Sequence, residues 1–394
     1  MPRIRTALIG LSSSAKTSWA EHGHLPYLLS PRGQSHYEIV ALLNSTAASA
    51  QAAKHEFGLP ATVKAYGDAA SLAADPDIDL VVCCTRVDIH YDNTEPSLKA
   101  GKAVYIEWPI AENFARAAAL MEGKQWRNSI AGLQGRLSPV AFRVKTLLQS
   151  GEIGKILSSD IHAFADLLKR DSLPEGLAYF ARREVGGNPV TIAYAHMIDY
   201  VHTVLGEFEA FDSRMQIQRP ALRLLGKEKD GLPSQVVSDV PDLVVVHGRL
   251  APGIQDLAEN ATLSVTFRTG QPFKDSPAFV WTINGETGEI RITSPSWSYL
   301  QSDAYVDPIR IELHRYGEDA VENIHWDWEE WQKEELPKRA RLVGAVYERY
   351  AAWVEGGRVS PVSDDAYWPR IHDGLRRHEE IETLFEQFDA QQLV

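Results

Sequence analysis

The apolar positions fall into two textures along the chain. From residue 3 to about residue 128, short apolar runs alternate with helix-length amphipathic segments: "RTALIGL", "AEHGHLPYLLS", "YEIVALLN", "AASAQAAKHEFG", "LVVCCT", "TEPSLKAG", "AVYIEW" and "ENFARAAALMEG". Runs apolar on both faces, joined by helices, predict a parallel, doubly wound sheet. "SIAGLQGR" then reads as a sixth strand, and "PVAFRVKTLLQSGEIGKI" as a helix ended by glycine.

Beyond that point the alternation has period two. "ILSSDIHAFA", "DLVVVHGRLA", "ATLSVTFRTG", "FVWTING" and "GEIRITS", separated by Gly, Pro and Asn turns, predict a mainly antiparallel sheet over residues 155–300. Residues 190–206 have helical spacing of Ala193, Met197, Tyr200 and Val201, closed by Gly206, and the last third returns to helix. The expected architecture is α/β: a Rossmann domain over 1–130 and a C-terminal α+β domain with a mainly antiparallel sheet over 131–394. The last helices are expected to pack back on the first domain.

The chain has 394 residues and a formal net charge of -13, which disfavours nucleic acid and anionic membrane partners, since both need clustered positive charge. Cys83 and Cys84 are the two cysteines, and they lie inside an apolar strand. They read as core. No apolar run approaches the roughly 20 residues needed to span a bilayer, and the start lacks a signal-like segment. A cytoplasmic location, with the nucleus as a second possibility, is the expectation.

The turn after the first strand, "GLSSSAKTSWA", keeps Gly10 of a dinucleotide-binding G-x-G-x-x-G but has Ser12 and Ala15 at the second and third glycine positions. Gly10, Ser12, Ser13 and Ala15 are still small enough for phosphate to approach backbone N–H groups. Asn44 and Ser45 end the second strand where a carboxylate would grip a ribose diol. NAD and NADP both remain open as cofactor, and solvated turns are the alternative reading.

Residues 77–111, "DIDLVVCCTRVDIHYDNTEPSLKAGKAVYIEWPIA", resemble the glucose-fructose oxidoreductase/inositol dehydrogenase (GFO/IDH/MocA) family. Thr85, His90, Ala100, Gly101, Lys102, Val104, Glu107 and Pro109 fall in that family's register. "IEW" (106–108), residues 133–139, "AHMID" (195–199) and residues 240–242 resemble the branch containing the galactose-pathway repressor of yeasts. The resemblance implies a dinucleotide contacted by Thr85, His90, Glu107, Trp108 and Pro109.

It also implies a site where family enzymes carry a lysine, a histidine and an aspartate. Here Trp108 stands at the lysine position and Ile192 at the aspartate position, leaving His196. Indole N–H is no general base, whereas histidine titrates near neutrality. His196 is therefore the candidate catalytic residue, with Tyr194 assisting and with Arg136 and Trp108 in a substrate pocket.

Two functions follow from the resemblance. The first is NAD(P)-dependent hydride transfer on a polyol, sugar or specialised metabolite. The second is a catalytically silent NAD(P)-binding regulator that binds a transcription factor, for which the polar stretch 230–242 could form part of the partner surface. A homo-oligomer formed through the C-terminal sheet is expected in either case. "HWDWEEW" (325–331) reads as packing or as a carbohydrate platform, and His22, His24 and His90 show no metal-ligand spacing.

Overall fold

The computed structural model describes residues 2–15, 17–123, 125–165, 169–229, 232–359 and 368–393. The strands are β1 (Ile4–Ile9), β2 (Tyr37–Leu43), β3 (Lys64–Tyr66), β4 (Leu80–Cys83), β5 (Ala103–Glu107), β6 (Ile130–Gly132), β7 (Ile156–Ala165), β8 (Ser172–Pro174) and β9 (Phe208–Gln216). They continue as β10 (Ala221–Lys229), β11 (Leu232–Val237), β12 (Leu243–Leu250), β13 (Leu257–Thr269), β14 (Phe279–Gly285), β15 (Gly288–Ser294), β16 (Arg310–Arg315) and β17 (Ala320–Ile324).

The α-helices are α1 (Leu25–Leu29), α2 (Pro31–His36), α3 (Ala47–Glu56), α4 (Ala69–Ala74), α5 (His90–Lys99) and α6 (Phe114–Ala119). After them come α7 (Pro139–Gln149), α8 (Ala195–Leu205), α9 (Glu330–Glu335), α10 (Lys338–Glu355) and α11 (Ile371–Gln392).

The chain divides into two compact units: residues 1–134, 184–187 and 329–379 form the first, and 135–183, 188–328 and 380–394 the second. The first is a six-stranded parallel sheet in the order β3-β2-β1-β4-β5-β6. Ala7, Leu8, Ile9, Val81, Val82, Val104 and Ile106 are fully buried, as strands covered on both faces must be. α3 starts where Thr46 and Ser49 form a reciprocal capping box, and α4 where Asp68 accepts from the Ser71 N–H.

In the second unit, eight strands run β17-β16-β15-β14-β7-β13-β12-β9, antiparallel except for the β7/β13 pair. Alternation sends Ile161, Val246, Leu263, Val265, Phe267, Trp281, Ile283 and Ile292 inward. There α8 covers them: Tyr200 meets Trp281 and Phe279, and Tyr194 meets Phe267, all edge-on or tilted. The residues before α8, Val190–Tyr194, form a π-helical turn, and Gly206 at φ 107° ends the helix.

One expectation needs correcting. Of the stretch read as a polar connector, 230 and 231 lie outside the described residues, while Leu232–Val237 forms β11. β11 pairs with β10 in a three-stranded sheet, aligning Val236 with Leu222 and Val237 with Ala221. β-branched Val236 and Val237 favour this pairing over an open loop.

The outer face of the eight-stranded sheet is mixed in character. Val245, Thr266, His162, Val280 and Thr293 lie in one row across five strands.

The aromatic run 325–331 is packing: Trp328 meets Tyr305 at 4.5 Å, and the Trp326 indole N–H donates to the Ile309 carbonyl.

Candidate functional site

In the first unit the sheet order reverses between β1 and β4, the switch point where ligands of such sheets bind beyond the carboxyl ends of the strands. Gly10 sits there at φ 90°, and a Cβ on it would come within 2.9 Å of the Thr85 methyl and 3.1 Å of the Cys84 carbonyl. Only glycine makes this approach unstrained.

The turn that follows holds itself together. Ser12 Oγ lies 2.9 Å from Ser14 Oγ, the Ala15 N–H reaches the Ser12 carbonyl, and the Ser13 hydroxyl donates to Glu56. Ser13, Ser14 and Ala15 are exposed and Ser12 is partly exposed, so small side chains line an open turn at the switch point. The residues present therefore fit a dinucleotide phosphate, with serine in place of the second glycine.

At the end of β2 the Asn44 amide donates to the Leu11 carbonyl at 2.9 Å, tying the two turns together. Ser45 is exposed. Asn44 thus acts as a brace, and Ser45 offers the open polar position beside it.

The turns after β4 and β5 are joined by His90. Its Nδ1 lies 2.8 Å from the Pro109 carbonyl and its Nε2 2.8 Å from the Thr85 carbonyl. Both ring nitrogens are thereby committed to backbone, and burial pushes the imidazole pKa down. His90 positions Thr85 and Pro109. The Trp108–Pro109 peptide bond is cis.

Glu107, at the end of β5, is buried and meets His24 Nε2 at 2.8 Å, while His24 Nδ1 lies 2.8 Å from the Tyr347 hydroxyl. A Cβ on Gly132 would meet Glu107 Oε2 at 2.6 Å. The Trp108 ring, also buried, lies against His378 with centroids 4.7 Å apart. Sequence reasoning missed His24, Tyr347 and His378, since nothing local in "EHGHLPY" or "RRHEEI" announces partners that α10, α11 and β5 supply from distant parts of the chain.

In the second unit, His196 is buried on the first turn of α8. Three residues on, Asp199 takes a two-bonded Arg136 guanidinium, Nε to Oδ2 at 2.8 Å and Nη2 to Oδ1 at 2.7 Å. Gly135 packs against Tyr200 and the His196 carbonyl. Arg136 therefore clamps its own segment onto α8 in a fork geometry that suits carboxylate. Fully buried Tyr194 donates to Glu380 Oε1 at 3.0 Å. The structure thus brings Arg136 and His196 to one helix and commits Tyr194 and Arg136 to carboxylates.

Residues 4–131 match the family described as "Oxidoreductase family, NAD-binding Rossmann fold", and residues 139–294 match "Gal80p, C-terminal domain". Dehydrogenase aclE of Aspergillus oryzae is 30% identical over 383 residues, spanning 96% of each chain. The galactose/lactose metabolism regulatory protein GAL80 of Kluyveromyces lactis is 26% identical over 326 residues, 80% of this chain and 67% of that protein.

A super-repressor mutant of Gal80p from Saccharomyces cerevisiae has the same fold, with a TM-score of 0.82 at 22% identity over 98% of this chain and 96% of that one. So does levoglucosan dehydrogenase in complex with NADH and L-sorbose, at 0.73 and 19% over 98% and 96%. The chain belongs to the GFO/IDH/MocA oxidoreductase family, joining an NAD-binding Rossmann domain to a C-terminal domain of the Gal80p type.

Proposed function

We propose that this protein is an NAD(P)-dependent oxidoreductase of a hydroxylated small molecule, a polyol, sugar or specialised metabolite. The observation that carries this reading is the 30% identity to a dehydrogenase over 96% of both chains. Gly10, Ser12, Ser13 and Ala15 would hold the phosphates, with Ser45 at the adenosine ribose and the Thr85 and Trp108–Pro109 turns at the nicotinamide end. Bound NAD or NADP supplies the hydride acceptor or donor. His196 takes the hydroxyl proton as general base in oxidation and returns it in reduction.

Asp199 and Arg136 hold the helix that carries His196, and Glu380 fixes Tyr194 beneath it. Trp108, in the position of the family lysine, contributes a flat apolar surface and no proton. His90 keeps the Thr85 and Pro109 carbonyls at a fixed separation.

A second reading, a silent NAD(P)-binding regulator that captures a transcription factor, is favoured by the match of residues 139–294 to the Gal80p C-terminal domain. One experiment separates the two. NAD, NADP, NADH and NADPH are titrated by calorimetry, and a panel of polyols, sugars and ketones is assayed with whichever binds. The enzyme reading expects turnover that falls about 100-fold or more in His196→Asn with cofactor affinity unchanged. Tight cofactor binding with no turnover across the panel would establish the regulator instead.

A further inference from the structure

His202, Glu207 and Glu380 converge within the second unit, and the described mechanism uses none of them as a reacting group. His202 lies in the last turn of α8, Gly206 ends that helix, Glu207 leads into β9, and α11 brings Glu380. His202 is 1% exposed, and its Nδ1 is 2.7 Å from the Gly206 carbonyl oxygen. A carbonyl can only accept, so Nδ1 carries the proton and donates.

That hydrogen bond leaves Nε2 aimed into the cluster. It is buried and has no hydrogen-bond partner among the described residues, and it lies 3.3 Å from Glu380 Oε2 and 3.8 Å from Glu207 Oε2. The three atoms lie within 4.8 Å of one another. A buried imidazole lone pair facing two carboxylate oxygens is a donor arrangement suited to a cation.

We propose that this is a divalent-cation site, with zinc as its preferred occupant. One imidazole nitrogen and two carboxylate oxygens are zinc donors at about 2.0–2.2 Å, and tetrahedral geometry at that radius separates ligand atoms by roughly 3.3 Å. The His202–Glu380 distance already matches. Glu207, with its side chain 25% exposed, closes the remaining gap by a small rotation and leaves a fourth position for water.

The surroundings are those of a supported metal site. The Gly206 carbonyl fixes the His202 tautomer, and the Tyr194 hydroxyl donates to the other Glu380 oxygen at 3.0 Å. The Phe208 ring meets the His202 ring edge-on at 4.8 Å and shields one side. The ion would staple the second half of α11 to α8, the helix that begins beside His196. His202 and Glu207 are close in sequence, but Glu380 comes from the far end of the chain, so sequence spacing alone does not disclose the set.

The rival occupant of the same space is a proton on Nε2, which would make His202 an imidazolium between two carboxylates. Elemental analysis of the full-length protein, purified without chelator and dialysed, is expected to find about one zinc per chain. Removing it with EDTA should lower the melting temperature by several degrees, and Zn²⁺ should restore it. Co²⁺ added to the stripped protein should give a visible absorption band of a low-coordinate N/O site. Glu207→Gln, at the half-exposed edge of the site, should weaken Zn²⁺ at least tenfold while the protein stays folded. No bound zinc, no Co²⁺ band and a melting temperature indifferent to EDTA and Zn²⁺ would assign the space to the proton. Zinc bound with equal affinity by Glu207→Gln would place the metal elsewhere and overturn the proposal.

Discussion

Trp108 and His378 lie ring against ring, centroids 4.7 Å apart and planes inclined by 49°. One follows β5, and the other comes from α11. His378 is 4% exposed, its Nε2 has no hydrogen-bond partner among the described residues, and burial pushes its pKa down to about 3. Trp108 is thus an indole packed on a neutral imidazole.

This pairing makes stability depend on pH with a definite sign. The folded-state pKa of His378 is below its ordinary value of 6.5, so the unfolded chain binds the proton more readily. Its stabilising effect is complete above about pH 6.5 and is lost as pH falls toward about 3. His90, also pushed down by burial, adds in the same direction. Urea unfolding should show His378→Phe losing roughly 2–3 kcal/mol less than the parent between pH 7 and 4.5. Parallel curves for the two proteins would refute the assignment.

Cofactor choice should respond to Ser45. Ser45→Asp places a carboxylate at an exposed position at the end of β2, where it can accept from a ribose diol and repels a 2′-phosphate. NADP(H) is expected to weaken relative to NAD(H) by tenfold or more, read by calorimetry. Asn44→Asp should behave differently: it removes the donor to the Leu11 carbonyl and is expected to cost about 1–3 kcal/mol of stability.

Arg136 separates a structural role from a substrate-binding one. Asp199 is 1% exposed, and Arg136→Ala removes both charge-assisted bonds to Asp199, a loss expected to cost about 1.5–3 kcal/mol. Denaturant midpoints should fall accordingly. In Arg136→Lys a single point charge replaces the fork, and a partial loss of stability with KM unchanged is expected. A raised KM at unchanged stability would place Arg136 in the substrate pocket.

Gly10→Ala tests the phosphate turn. The left-handed conformation costs an alanine about 1–2 kcal/mol. The new methyl would also meet Thr85 at 2.9 Å. Lower stability together with weaker cofactor binding is expected, measured by thermal melts with and without NAD(H). Unchanged cofactor affinity would remove this turn from the binding site.

The outer face of the large sheet invites a test of self-association. Val245 and Thr266 are cross-strand neighbours there, in a row with His162, Val280 and Thr293. Sedimentation velocity is expected to give a homodimer that Val245→Arg and Thr266→Arg convert to monomer. A parent protein that sediments as a monomer would end the proposal.

Much of this was legible in the chain itself. Short apolar runs such as "LVVC" and "AVYIE", set between helical segments, read as strands covered on both sides, and the alternation in "FVWTING" reads as a strand with one buried face, so pattern and flanks predicted a parallel sheet followed by an antiparallel one. Gly10 was marked by the turn after the first strand, and Glu107 by the resemblance of residues 77–111 to the family. β11 could not, because a short strand next to Asp, Gly and Pro looks like a loop until β10 is there to pair with it.

What only the tertiary structure decided is which polar groups meet. His24 with Glu107 and Tyr347, Trp108 with His378, and His202 with Glu207 and Glu380 all join segments that sequence distance conceals. The physical reason is that apolar periodicity is set by each element's own geometry, whereas a buried polar atom is satisfied by whichever distant side chain the packed fold carries to it.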